Sequence, residues 1–191
     1  PVTMRKLGVV QFFSWFAFFA MWSLATPALT EHVFNAPIPN AELFDMADAT
    51  QKSAYDLANK SYNNAADLVG SYMGIYGLSS MGFALLLTLY TSKKRINRKY
   101  VHMVSLILGG LGFISMYFIP DSSYLTFSFA LVGIAWGSIL SMPYAMLSSS
   151  IDANKMGLYM GLFNMFIVIN HKSALQRARK PIQMLRLLSN L

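Results

Sequence analysis

The chain has 191 residues, of which 55% are hydrophobic and only 12% charged, where a soluble domain averages about 45–50% apolar and about 25% charged. Too few charges remain to coat a water-soluble globule, which excludes a cytosolic enzyme, a disordered chain and most nucleic-acid-binding domains. The net charge of +7 is placed in short basic clusters between apolar runs, as in loops flanking membrane spans, and not on a face interleaved with aromatics that would grip nucleic acid.

A bilayer core about 30 Å thick needs about 20 apolar residues in a helix. Residues 7–30 contain no charge and predict a first span. This run is too long for a signal-peptide core and has no small-residue cleavage site. The chain begins at Pro1, not at methionine, and reads as a piece of a longer protein. Within the run, Gln11, Trp15, Phe18, Trp22 and Thr26 recur at helical spacing and form one stripe. Amide, indole and hydroxyl groups in a row suit a sugar: indole faces stack on the C–H faces of a pyranose, and the polar groups bond its hydroxyls. A tryptophan near a span end is equally an interfacial anchor.

Residues 31–67 follow as an acidic external loop, with Glu31, Glu42, Asp45, Asp48, Asp56 and Asp67 against Lys52 and Lys60. Asn35 to Asn40 is rich in turn residues, and residues 41–62 predict a short amphipathic helix of their own. A second span is predicted over 68–92, a third over 100–120 and a fourth over 122–151. Lys93, Lys94, Arg95, Arg98 and Lys99 crowd the loop between the second and third, which places that loop in the cytoplasm. Alternation then puts Arg5 and Lys6 inside, 31–67 outside, 120–123 outside and 152–155 inside. A fifth run, 156–170, would reach only about 22 Å at 1.5 Å per residue. The basic tail, 171–191, would then lie outside against the charge rule. It reads either as a basic helix on the membrane surface or as sequence not native to this fold.

Small and polar residues mark the spans. Gly70/Gly74, Gly133/Gly137 and Gly157/Gly161 are GxxxG pairs, and Gly109, Gly110 and Gly112 make a further flat patch; such residues let helices approach closely in lipid. In the fourth run Gly137, Ser141, Tyr144 and Ser148 share a face, and Pro143 frees a carbonyl that protein or cavity water must satisfy. Asn164 reads as interhelical glue and His102, opening the third run, as an interfacial histidine. None of the eight acids lies mid-span, so no complete proton relay is present. HExxH, GxSxG and GxxxxGK[ST] are all absent, and with no cysteine neither an enzyme nor a metal or cofactor site is expected.

Four stretches, Val10–Trp22, Gly109–Ser115, Gly133–Leu147 and Lys155–Ile169, carry a family likeness. The most specific are Gln-Phe-Phe-Ser-Trp-Phe (residues 11–16) and the Trp136…Pro143-Tyr144-Ala145 pattern. The chain resembles the bacterial sucrose–proton symporter branch of the major facilitator superfamily, near the glycoside–pentoside–hexuronide symporters, over roughly residues 4 to 169. The resemblance implies an all-α polytopic fold of twelve helices in two halves, with substrate near the midplane between them. Helices seven to eleven match here. Residues 1–170 would thus be a partial C-terminal half with four to five transmembrane helices in the bacterial inner (plasma) membrane, followed by the tail.

The implied function is disaccharide–proton symport by alternating access, with sucrose or maltose as substrate. Gln11, Trp15, Trp22, Ser141 and Tyr144 are the expected sugar contacts. The expected partners are the lipid bilayer, the sugar, protons and an N-terminal six-helix half bearing the coupling carboxylate, with no nucleic acid. Alone, this chain would transport nothing. Thr91 and Ser92 lead into Lys93 without the Asp that often precedes this basic loop in the superfamily, so that gating contact is not carried over. Rival readings are an exporter of amphipathic compounds and a non-transporting membrane scaffold subunit.

Overall fold

The structure, a computed structural model, describes residues 2–119 and 121–165. The last five residues of the fifth apolar run and the whole 171–191 tail lie outside the described residues. Four long helices follow one another: α1 (Val2–His32), α2 (Ala49–Thr91), α3 (Arg98–Phe118) and α4 (Ser122–Ser148). Each is long and apolar enough to cross a membrane. Single 3-10 turns stand at Ala41–Leu43 and Ala153–Lys155, residues 156–165 are helical, and no strand occurs among the described residues. In lipid this is what backbone chemistry demands, because a helix satisfies its own N–H and C=O groups.

α1 and α2 outrun the apolar stretches that announced them, while α3 begins and ends two residues earlier than 100–120 and α4 stops three residues short of 151. α1 takes in Arg5 and Lys6 at one end and Glu31 at the other. The connection expected over 31–67 is irregular only as far as Asp48, and no separate helix forms over 41–62; from Ala49 the chain is already α2. The reason is local. Asp48 caps the helix, its Oδ1 accepting the Thr50 N–H at 2.9 Å, and Lys52, Asp56 and Lys60 follow at i, i+4 spacing, which favours a helix in water. Charge ends a span but does not end a helix. Asp48→Ala is expected to cost roughly 1 kcal/mol, seen as faster amide exchange over residues 49–53.

The chain divides into two compact units, Leu24–Ser138 and Pro1–Ser23 with Ile139–Leu191. In the Leu24–Ser138 unit, α4 lies between α2 and α3 through small residues. A Cβ placed on Gly133 would meet Tyr76 O, Ser79 Cβ and Ser80 N of α2, and one on Gly137 would meet Phe83 and Ser80. On the other side, Gly109 and Gly112 of α3 lie against Ala135, Leu131, Ser128 and Val132 of α4. Leu125, Phe129 and Val132 are fully buried in this seam. Hydroxyl groups tie it: Ser79 Oγ donates to Ala130 O at 2.6 Å, Tyr72 Oη to Ser122 O at 3.0 Å, and Ser115 and Ser128 pair at 2.7 Å. Among the described residues a Cβ on Gly70, Gly74, Gly157 or Gly161 would meet nothing within 4 Å, and of the three GxxxG pairs Gly133/Gly137 makes a helix contact.

In the other unit, Leu7 of α1, Leu147 of α4 and Phe163 form a buried cluster, with Met4, Tyr144, Met146, Ile151 and Met160 packed on it. Phe18, Met21, Ile139 and Met142 are buried as well. Packing, not water exclusion, holds such a cluster in lipid.

Candidate functional site

All five residues singled out by the sequence, Gln11, Trp15, Trp22, Ser141 and Tyr144, fall in the same unit, on the first part of α1 and the last part of α4. The α1 stripe does not have one environment. Gln11 and Phe18 are buried, at 0% and 2% exposure, while Trp22 is 41% exposed and Trp15 half-buried. Helical spacing fixes which residues share a face, but the neighbouring helix covers only part of its length.

Trp15 and Trp22, two turns apart, approach edge to face at 6.3 Å between ring centroids. Phe19 meets Trp22 at 5.5 Å and Trp15 at 5.6 Å, and Phe18 meets Trp22 at 6.1 Å. These distances lie in the favourable range for aromatic pairs. The cluster leaves the Trp22 indole partly open while its neighbours hold the ring in place. Phe19 was left out of the stripe read from the sequence, although at i+4 from Trp15 and i−3 from Trp22 it shares that face; the run of aromatics from Phe12 to Trp22 was the available signal.

On α4, Ser141 is exposed and Tyr144 half-buried. Tyr144 Oη donates to Asn164 Oδ1 at 2.7 Å, and the Tyr144 ring meets Phe163 edge to face at 5.6 Å. Asn164 thus serves as interhelical glue to the helical stretch 156–165. The hydroxyls beyond Tyr144 turn back on their own helix: Ser148 Oγ to Ala145 O at 3.2 Å, and Ser149 and Ser150 Oγ to Met146 O at 2.9 and 2.8 Å. They satisfy terminal carbonyls of α4. The two helices of the site meet where Gln11 Nε2 donates to Ile139 O at 3.4 Å.

His102, read from the sequence as an interfacial histidine, is 5% exposed, with Nδ1 2.9 Å from Ser138 Oγ and Nε2 buried without a hydrogen-bond partner among the described residues. The fifth residue of α3, it lies on the side that faces α4, where Ser138 supplies a polar partner. Among the described residues no group of three or more His, Cys, Asp or Glu could hold a metal ion.

The geometry offers a partly open indole on an aromatic base, an exposed hydroxyl and a phenol held by an amide. These groups are uncharged, and each carries a hydrogen-bonding atom or an aromatic face. A family model described as Major Facilitator Superfamily matches residues 2–169. No curated protein and no solved structure matches the chain.

Proposed function

Because the chain belongs to the major facilitator superfamily, and so to a family of multi-pass membrane transporters, we propose that it forms part of a symporter that moves a disaccharide such as sucrose or maltose with protons by alternating access. The observation that supports this reading best is the Trp15–Trp22 pair with its open indole, a surface on which a pyranose can stack. Ser141 and the Tyr144–Asn164 pair supply hydroxyl and amide partners. Gln11 Oε1, buried and without a partner among the described residues, is an acceptor for a sugar hydroxyl once the cleft opens. Absent mid-span carboxylates, the coupling proton is carried on a further six-helix half, with which these helices complete a pathway in the bacterial inner membrane.

The test is uptake of labelled sucrose and maltose into vesicles carrying the full-length protein. Inward proton gradients are expected to drive accumulation at least tenfold over gradient-free vesicles, with collapse on adding a protonophore. The polypeptide of residues 1–191 alone is expected to give none. Uptake absent from the full-length protein, together with efflux of amphipathic dyes, would replace this reading with that of an exporter; absence of both would leave a scaffold.

A further inference from the structure

Pro143 lies inside α4 and has no N–H to return to the carbonyl four residues earlier. That carbonyl belongs to Ile139, and Gln11 Nε2 is the group that reaches it, from 128 residues away in sequence, at 3.4 Å. We propose that Gln11 is the positioning residue of a proline hinge in α4: its side-chain amide replaces the backbone donor that Pro143 lacks and sets the conformation of the interrupted turn.

Three observations support this together. Gln11 and Ile139 are both at 0% exposure and Pro143 is fully buried, so solvent cannot satisfy the carbonyl, and lipid offers no donor. The orientation of the amide follows from chemistry, because a carbonyl only accepts and the NH₂ end must face it. Finally, Gln11 Oε1 is buried without a partner among the described residues. A buried orphan oxygen is unfavourable, so a leucine would fit this site better if packing were its only role. The other end of the same amide serves Ile139. The proposal does not rest on the sugar reading, since it concerns Nε2 and the backbone of α4 and holds for any cargo.

A double-mutant cycle in the full-length protein in detergent tests it. With Pro143 present, Gln11→Leu strands the Ile139 carbonyl and is expected to lower the apparent Tm by roughly 5 °C. In the Pro143→Ala background the new backbone N–H bonds Ile139 O, and the same Gln11→Leu change is expected to shift Tm by less than about 1 °C, or upward. If Gln11→Leu alone does not fold, the Gln11→Leu/Pro143→Ala pair is expected to fold. Equal losses in both backgrounds, a Gln11→Leu protein as stable as the parent, or a double variant that stays unfolded would each overturn the proposal, as would failure of Pro143→Ala itself to fold. None of these outcomes bears on which compound the transporter carries, which the vesicle assay reads separately.

Discussion

Replacing Gly133 by valine is expected to break the packing of the Leu24–Ser138 unit, with a loss of roughly 3 kcal/mol, at the upper end of what overpacking costs. A Cβ at residue 133 meets backbone on both sides of one turn of α2, at Tyr76 O and Ser80 N, with Ser79 Cβ only 2.8 Å away. Side chains can rotate aside, but helix backbone cannot without moving the helix. Ser79 adds to the effect, since its hydroxyl bonds Ala130 O at 2.6 Å and that bond breaks when α2 retreats. Gly112→Val should behave alike, because its Cβ would lie 2.7 Å from Ser128 O and 2.9 Å from Val132 Cγ2. Gly157→Ala supplies the control: among the described residues nothing lies within 4 Å of its position, and its thermal melt in detergent should match the parent within the error of the measurement. Equal melts for Gly133→Val and the parent would remove the α2–α4 seam from the description of this fold.

Trp22→Ala is expected to reduce sugar uptake by the full-length protein roughly 30-fold, corresponding to about 2 kcal/mol for truncating an anchoring tryptophan. The loss should appear as a raised half-saturation concentration, with the maximal rate less affected, because stacking serves binding. Trp22→Phe keeps an aromatic face against Phe18 and Phe19 and should recover most of the uptake. Trp15→Ala should fall between these two, since Trp15 both backs Trp22 and is itself half-buried. Ser141→Ala removes one hydrogen bond at an exposed position and should cost roughly threefold to tenfold. If Trp22→Ala transports sugar as the parent does, the indole is a membrane anchor and not a ligand contact.

The sequence revealed the helices well and their ends badly, for one physical reason. Hydropathy marks where lipid is, whereas helix ends depend on caps. Asp48 with Thr50 starts α2 nineteen residues before Asp67 closes the acidic stretch, and no count of apolar residues registers that. Glycine spacing raised the right kind of contact and could not say which pair was used: Gly133/Gly137 and Gly70/Gly74 have the same pattern, yet among the described residues the first has a close neighbour and the second has none. The site was legible in part. Periodicity put Gln11, Trp15 and Trp22 on one face, and the aromatic pair follows from that. The burial of Gln11 and its bond to Ile139 O required knowing which turn of α4 comes beside α1, which is a matter of tertiary packing. The same holds for His102: its place near the start of the third run could not show that its ring packs against α4 beside Ser138.

α2 runs unbroken for 43 residues, about 65 Å at 1.5 Å per residue, twice the thickness of a hydrocarbon core. At least half of it would therefore project past the lipid as a stiff mast. Any tilt of the buried half is magnified at the tip: over a lever arm of about 28 Å, a swing of 10° displaces the far end by roughly 5 Å. A fluorophore near Thr50 would thus serve as a pointer for tilting of this helix, far along the chain from Gln11, Trp15, Trp22, Ser141 and Tyr144.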